Sequence, residues 1–334
     1  MKGWTMPLAI ITDCNHGSVE PEVEILQAAG VEVRSYQALT EDDAIRVAAA
    51  ADAILTQYAR ITARVLDALP RCRVIVRYGV GVDTIDLEAA AARGIIVANV
   101  PDYCIEEVSD HALTLLFGLW RGTVLYDRAV RQGVWNAEMK QPMFRLAGRV
   151  LGILGGGRIG TRLAQKALGV GMAVIGYDPY VSAWPAGVRA VNLETLLRES
   201  DAVSIHCPLC AETQHLMGEA QFRLMKPTAL VVNTARGGVI DTAALVRALR
   251  EGWIGGAALD ALEEEPIAPD SPLLALPNVL LTPHMAWYSR DSTVDLKRRT
   301  AEAALAVLRG GRPSSVANPA VFTGGRLRAT GALL

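Results

Sequence analysis

A glycine-rich segment is the first feature whose spacing could do chemistry. In R-V-L-G-I-L-G-G-G-R-I-G, Gly155, Gly157 and Gly160 form the pattern G-x-G-x-x-G directly after an apolar run. In this pattern the first glycine permits a tight turn, the second lets the backbone approach a pyrophosphate and the third allows close helix–strand packing. The helix that follows presents a positive N-terminus to the phosphate charge. We therefore predict a dinucleotide site, which Arg158 and Ile159 also line.

An acidic residue follows at the expected spacing. Asp178 lies about 20 residues after the second glycine, at the end of a predicted strand, as expected for a ribose-binding carboxylate. Its oxygens would accept hydrogen bonds from the ribose hydroxyls and would repel a 2′-phosphate. Because Pro179 and Tyr180 supply no compensating arginine, we predict NAD rather than NADP as the cofactor. The alternative is a glycine-rich turn with an unrelated surface aspartate.

Three later segments carry groups that could act on a substrate. Arg236 follows a predicted strand in V-N-T-A-R-G-G-V, and His284 closes another in L-T-P-H-M-A-W. Between them, Asp260 and Glu265 lie in A-L-D-A-L-E-E-E-P. Taken singly, these segments fit a surface turn, a structural histidine and a solvated acidic loop.

Taken together, the same groups suit the reduction of a 2-keto acid. A ketone that accepts a hydride also needs a proton at its oxygen, and a histidine paired with a carboxylate can supply it near neutral pH. The guanidinium of Arg236 has the fork of donors that binds a carboxylate and polarises a neighbouring carbonyl. Carboxyl ends of parallel strands are also where ligands bind in open α/β sheets.

The elements that would position these groups alternate between short β-branched runs and Ala/Leu-rich helical segments. Such alternation predicts parallel sheets covered by helices on both faces. One series fills residues 1–99 and a second fills 100–287, so we predict an α/β protein with two doubly wound parallel-sheet domains. The predicted strands are Leu8–Thr12, Val31–Ser35, Ala53–Thr56, Val74–Arg77, Ile95–Asn99, Val150–Leu154, Ala173–Tyr177, Ala202–His206, Leu230–Thr234, Gly256–Leu259 and Val279–Thr282. The predicted helices are Pro21–Ala29, Glu41–Ala50, Ala63–Leu69, the long apolar Glu106–Arg121, Ile159–Leu168, Leu193–Arg198, Ala243–Glu251 and a last one over Ser292–Leu308.

Length and composition narrow the class of protein. At roughly 100–200 residues per domain, 334 residues suggest two domains. With 33 basic and 35 acidic residues, no charge excess favours nucleic acid or an anionic membrane, and no apolar run reaches the roughly 20 residues of a spanning helix. The five cysteines are scattered, with C-P-L-C lacking a second pair. We therefore expect no metal site and a cytoplasmic protein.

Taken in order, the motifs resemble those of the D-isomer-specific 2-hydroxyacid dehydrogenases. The resemblance rests on G-G-G-R-I-G with Y-D-P, N-T-A-R-G-G, A-L-D-x-x-x-x-E-P and T-P-H, and the blocks Val76–Leu87 and Val97–Val108 extend it. It implies a Rossmann-type NAD-binding domain over 100–287. A flavodoxin-like split substrate (lid) domain would then combine 1–99 with 288–334. The resemblance also implies a homodimer through the cofactor domain that involves the long helix after Pro101.

The resemblance further implies residue roles. Arg236 would bind the substrate, Glu265 would pair with His284, and His284 would be the acid/base. Asp260 would lie near the nicotinamide carboxamide. Further cofactor contacts would come from His206, Cys207, Pro208, Thr213, Thr234 and Ala235, and substrate contacts from Arg77, Tyr78, Gly79, Val80 and Trp287. For His206, packing at a strand end is an equal alternative.

The branch of the family stays open. The ending H-M-A-W-Y-S differs from that of phosphoglycerate dehydrogenases and is similar to the C-terminal-binding protein branch, which are corepressors with a dehydrogenase fold. Trp287 would then wall the pocket and favour a 2-keto acid with an apolar or thioether side chain over a phosphorylated one. Interdomain packing is the alternative for Trp287, and an interdomain salt bridge for Arg77. The alternative functions are an NAD(H)-sensing corepressor-like protein with weak dehydrogenase activity, or a D-3-phosphoglycerate dehydrogenase.

Overall fold

The chain divides into two compact units. The computed structural model describes residues 6–136, 143–323 and 327–328. One unit runs to Tyr103 and resumes at Ser289, and the other runs from Cys104 to Tyr288. The sequence predicts these divisions after residues 99 and 287.

The first unit is built on a parallel sheet of short, buried strands. Its order is β2-β1-β3-β4-β5, and β1 and β3 are buried along their whole length, as expected for strands covered on both faces. The elements are β1 Leu8–Ile11, α1 Glu20–Ala28, β2 Glu32–Ser35, α2 Glu41–Ala48, β3 Ala53–Thr56, α3 Ala63–Asp67, β4 Val74–Arg77, α4 Leu87–Ala92 and β5 Ile96–Ala98. The long helix Arg290–Leu308, labelled α11 in chain order, also belongs here and packs against α1, β3 and β4.

The second unit is a longer parallel sheet with the order β12-β11-β10-β9-β6-β7-β8. The strand order reverses between β6 and β9, and such a reversal opens a crevice at the carboxyl ends of the strands where ligands bind. The elements are α5 Ile105–Trp120, α6 Thr123–Arg131, β6 Val150–Leu154, α7 Arg158–Gly169, β7 Ala173–Tyr177, β8 Val188–Ala190, α8 Leu193–Glu199, β9 Ala202–Ile205, α9 Glu219–Leu224, β10 Leu230–Asn233, α10 Thr242–Arg250, β11 Gly256–Leu259 and β12 Val279–Leu281. Two doubly wound parallel sheets confirm the predicted fold class.

Among the α-helices and strands of the described residues, α4, α6, α9 and the edge strand β8 were not predicted from the sequence. The predicted strand and helix bounds otherwise differ from the observed ones by one or two residues at most ends. No described helix has both the length and the apolar content needed to span a membrane.

Candidate active site

The glycine-rich turn between β6 and α7 has two glycines that the backbone requires. Gly155 has a φ of +104°, and a Cβ atom there would come within 2.5 Å of the backbone nitrogen of Cys207. A Cβ at Gly160 would lie 2.1 Å from the carbonyl oxygen of Gly155. Gly157 differs, because a Cβ there would meet no atom within 4 Å. The space beside Gly157 and the helix N-terminus, which no side chain caps, suit the approach of a phosphate.

Asp178 lies next to this turn, directly after β7. One of its oxygens accepts a hydrogen bond from the backbone N–H of Gly156 at 2.8 Å, and the other accepts one from the N–H of Tyr180 at 2.9 Å. The hydroxyl of Tyr180 donates to a carboxylate oxygen of Glu212 at 2.6 Å. The segment after β7 is therefore tied both to the glycine-rich turn and to the loop after β9.

The loop after β9 contains four of the predicted cofactor residues. His206 contacts the Ser204 hydroxyl at 2.8 Å through Nε2, and burial lowers the pKa of His206 to about 4, so its ring is neutral near pH 7. Burial raises the pKa of Cys207 to about 11. The Thr213 hydroxyl donates to the carbonyl of Pro208 at 2.6 Å and accepts from the N–H of Cys210 at 2.9 Å. Thr213 thus stabilises the loop from inside.

The turn after β10 carries Thr234, Ala235 and Arg236. The Thr234 hydroxyl is buried and has no hydrogen-bond partner in the described part of the chain. Arg236 donates from Nη1 to the carbonyl of Ala235 at 2.8 Å. A Cβ atom at Gly237 would lie 1.8 Å from the carbonyl carbon of Leu262. Only glycine therefore lets the Arg236 turn pack directly on the backbone of the loop that carries Asp260 and Glu265.

His284 and Glu265 form a hydrogen-bonded pair. Nδ1 of His284 lies 2.7 Å from Oε2 of Glu265, whose other oxygen accepts from the N–H of Leu262 at 2.8 Å. Burial acts to raise the pKa of Glu265, but the hydrogen bond and charge of His284 and the Leu262 N–H outweigh it and hold this pKa below its ordinary value. An ionised carboxylate only accepts hydrogen bonds, so the imidazole carries a proton on Nδ1.

Asp260 and Trp287 surround the His284 turn. Asp260 is almost fully buried and accepts the backbone N–H groups of Met285 and Ala286 at 2.9 and 2.8 Å. The indole Nε1 of Trp287 donates to the carbonyl of His284 at 3.0 Å, and its ring packs edge-on against Tyr288. Arg236, Asp260, Glu265, His284 and Trp287 all lie in loops that follow β10, β11 or β12.

The predicted substrate residues of the first unit begin with Arg77, the last residue of β4, and continue into the loop after it. Gly79 has a φ of +122°, and a Cβ there would lie 2.1 Å from Nη1 of Arg77, so the guanidinium covers the Gly79 backbone. Tyr78 is buried with its ring edge-on to His16, and burial raises its pKa. The carbonyl of Val80 accepts from the Asn99 amide at 2.6 Å. Burial and the charge of Arg77 lower the pKa of His16 to about 4.

Two contacts of this region are absent from the sequence predictions. His111 of α5 reaches Thr282, with Nε2 and Oγ1 3.0 Å apart. His215 pairs through Nε2 with Glu263, whose other carboxylate oxygen accepts from the N–H of Thr242. These residues are far apart in sequence and become neighbours through the order of the strands and the conformation of the loops. Neither can be read directly from a single sequence. Within the described residues, no cluster of His, Cys, Asp or Glu could hold a metal ion.

Replacing Gly157 with alanine tests the dinucleotide turn. Because the space beside Gly157 is open, the Gly157→Ala variant should unfold at the same temperature as the parent. Its methyl group would block the approach of a pyrophosphate, so we expect NADH affinity to fall at least tenfold in calorimetric titration. The control is Gly169→Ala at the other end of α7, where a Cβ also meets nothing. Equal NADH affinity in all three proteins would contradict a phosphate site here.

Comparison with known proteins shows the family to which this chain is similar. Residues 113–286 match the model of the NAD-binding domain of D-isomer specific 2-hydroxyacid dehydrogenases. The chain is 46% identical over 268 residues to a glyoxylate reductase of Korarchaeum cryptofilum, covering 78% of this chain and 80% of that one. A D-3-phosphoglycerate dehydrogenase of Archaeoglobus fulgidus is 37% identical over 87% of this chain, which spans only 56% of that longer relative.

A solved structure extends the likeness to nearly the whole chain. The D-lactate dehydrogenase of Aquifex aeolicus, complexed with NAD and lactic acid, superposes with a TM-score of 0.83 at 28% identity and covers 93% of this chain and 99% of that one. The match to the family model spans more than half of the sequence. The chain therefore belongs to the D-isomer-specific 2-hydroxyacid dehydrogenase family and is an NAD-dependent oxidoreductase.

Proposed function

We propose that the enzyme reduces a small unphosphorylated 2-keto acid to its D-2-hydroxy acid, with Arg236, Glu265 and His284 as catalytic residues. The observation that carries this proposal is the hydrogen bond between His284 and Glu265, which assigns one ring proton to Nδ1. The second ring nitrogen, Nε2, is then the atom that exchanges a proton with substrate. In reduction it gives that proton to the carbonyl oxygen, and in oxidation it takes the proton from the hydroxyl.

The second unit has the features that NAD requires. The turn Gly155–Gly160 would hold the pyrophosphate. Asp178 would accept hydrogen bonds from the ribose hydroxyls, because its carboxylate keeps lone pairs that the two backbone N–H donors do not use. The buried, unpartnered hydroxyl of Thr234 supports a polar ligand beside β10. His206, Cys207, Pro208, Thr213, Ala235 and Asp260 would complete the cofactor contacts. NADH, when bound, supplies the hydride that adds to the carbonyl carbon.

Charged side chains of the protein would bind the substrate and stabilise the charges that form during the reaction. Arg236 would bind the substrate carboxylate through two parallel N–H donors and draw electrons from the adjacent carbonyl. The ionised Glu265 stabilises the imidazolium of His284 that must exist before proton transfer to an alkoxide. The unit that carries Arg77, Tyr78, Gly79 and Val80 would be the substrate domain, and 104–288 the NAD-binding domain. The guanidinium of Arg77, which covers the Gly79 backbone, would offer a positive charge to the carboxylate of the substrate.

Replacing His284 and Glu265 tests these roles. We expect His284→Ala to lower kcat by about 10²–10⁴-fold while NADH still binds. In Glu265→Gln the imidazolium loses its carboxylate, so the pH above which reduction declines should move to a lower value. Initial rates of NADH oxidation across pH 5–9 measure both effects.

The matched control is Glu264→Gln, which removes the same charge from the same loop without touching His284. It should keep the parent pH profile. Parental turnover of His284→Ala would remove this histidine from the mechanism.

The proposal of an unphosphorylated substrate rests on Trp287. Its indole, tied to the carbonyl of His284, would present an apolar surface that offers a phosphate nothing to bind. Relatives of this chain include enzymes named for glyoxylate and for 3-phosphoglycerate. Because the glyoxylate reductase shares more identity over most of both chains, we favour glyoxylate and other small 2-keto acids. Feeble turnover of every acid would instead favour the NAD(H)-sensing alternative.

Enlarging the pocket tests the role of Trp287. In Trp287→Ala, kcat/KM for 2-keto acids with larger apolar or thioether side chains should rise relative to glyoxylate by on the order of tenfold. Trp287→Phe keeps the apolar surface but loses the Nε1 donor, so it separates pocket size from support of His284. A panel including glyoxylate, 2-oxobutyrate, 4-methylthio-2-oxobutyrate and 3-phosphohydroxypyruvate provides the measurement. Preference of the parent for the phosphorylated acid would refute the substrate assignment.

We further propose a homodimer through the second unit. Large apolar side chains are exposed on and just after α6, at Val124, Val130, Val134 and Trp135, the last 90% exposed. A protein–protein contact would cover exposed apolar side chains such as these, which all lie on one segment of the chain. Cytoplasmic location is also proposed, on the ground that all five cysteines are free thiols.

Charging this surface tests the dimer. The parent should sediment as a dimer at micromolar concentration, and Trp135→Glu should shift the protein toward the monomer because an interface would bury the new charge. Val294→Glu, at an exposed apolar position of the other unit, is the control and should leave the mass unchanged. A monomeric parent, or a Trp135→Glu variant that stays dimeric, would contradict the proposal.

A further inference from the structure

His284 has a backbone conformation that residues with a side chain rarely adopt. Its φ is +53°, in the left-handed region, where the Cβ atom crowds the backbone. Its N–H donates to the carbonyl oxygens of Asp260 and Thr282 at 2.9 and 3.0 Å. A residue persists in this conformation only when the surrounding structure holds it there. The direction of the imidazole therefore depends on the groups that hold the turn.

The carboxylate of Asp260 is the main group that holds this turn. The N–H groups of Met285 and Ala286 both point at this carboxylate, and paired backbone N–H groups of this kind form an anion-binding concavity. Asp260 fills it, with Oδ1 accepting from Met285 at 2.9 Å and Oδ2 from Ala286 at 2.8 Å. A small rotation of this carboxylate would break both bonds at once.

Two further side chains hold the carboxylate. The hydroxyl of Thr282 lies 2.5 Å from Oδ1 of Asp260, and Nε2 of His111 lies 3.0 Å from that hydroxyl and 3.5 Å from Oδ1. Burial acts to raise the pKa of Asp260, but hydrogen bonds from His111, Thr282 and the two N–H groups outweigh it and keep this pKa low. The Asp260 carboxylate is therefore ionised, and it is held by the backbone N–H groups on one side and by the side chains of Thr282 and His111 on the other.

The single proton of the Thr282 hydroxyl decides the direction of these bonds. An ionised carboxylate has no proton to give, so the hydroxyl must donate to Asp260. The same oxygen can then only accept from the imidazole, which requires a proton on Nε2 of His111. The donors therefore run one way, from His111 to Thr282 to Asp260.

We propose that His111 and Thr282 are positioning residues that hold the Asp260 carboxylate, and through it the left-handed turn that aims His284. This inference rests on the proposed role of His284 as acid/base. His111 lies on α5, which packs against β11 and β12. The helix would thus support a proton-transfer group that it does not touch.

Removing either donor should lower turnover more than binding. We expect His111→Leu and Thr282→Val each to lower kcat by about 10–100-fold, the scale of a misplaced catalytic group, with a smaller rise, of about threefold at most, in KM for NADH because Asp260 is also a proposed cofactor contact. Because both variants weaken the hold on the same carboxylate, the loss of kcat in the double variant should be smaller than the product of the two single losses. His111→Gln and Thr282→Ser retain a donor at each place and should keep kcat within about threefold.

A second readout does not depend on activity. In nitrogen-15 NMR of the ring, His111 should be protonated at Nε2 in the parent, and the chemical shift of this nitrogen should change in Thr282→Val. If His111→Leu does not fold, the pair Thr282→Val and Thr282→Ser decides alone, since valine matches threonine in shape. Parental kcat in these variants, multiplied effects in the double variant, or failure of glutamine and serine to restore kcat would overturn the inference.

The outcomes also separate this inference from the proposed function. Parental activity in His284→Ala would refute the role of His284 whatever His111 does. Loss of activity in His284→Ala with full activity in both His111→Leu and Thr282→Val would refute only the positioning chain.

Discussion

The parallel direction of the strands in the second unit is the constraint on which its site depends. In such a sheet every strand ends at the same edge, so the residues after each strand become neighbours although they are far apart in sequence. The turn at Gly155, the carboxylate of Asp178 and the imidazole of His284 all follow strands in this way. The topology of the sheet thus brings the functional residues together, and the local sequence after each strand determines which side chains are placed there.

Close backbone approach turns this shared edge into a rigid arrangement. The Arg236 turn rests against the loop of Glu265 with no room for a methyl group at Gly237, and the glycine-rich turn contacts the segment after β9 in the same manner. Packing of this kind leaves loops little freedom to shift independently. The guanidinium and the carboxylate–imidazole pair are therefore held on backbones that cannot separate without moving whole loops, which suits an electrostatically preorganised site.

Much of this could be predicted from the sequence, and the misses have physical reasons. Buried strands are continuous apolar runs, and the site motifs directly follow them, so fold class and candidate residues were accessible. Helix α4 follows Asp86, whose side chain caps it at Ala89, but six residues carry little periodicity. The edge strand β8 has only three residues, two of them exposed. The contact between His111 and Thr282 spans 171 positions, and only the packing of a helix on two strand ends creates it.

The partial burial of Cys207 affects how this site reacts with electrophiles and oxidants. With a pKa near 11, roughly one thiol in ten thousand is ionised at pH 7, and only the ionised form attacks electrophiles or peroxide at a useful rate. The sulfur beside the glycine-rich turn is therefore a poor nucleophile. We therefore expect oxidants to modify this sulfur only slowly, so that the contact between the glycine-rich turn and the loop after β9 survives oxidising conditions.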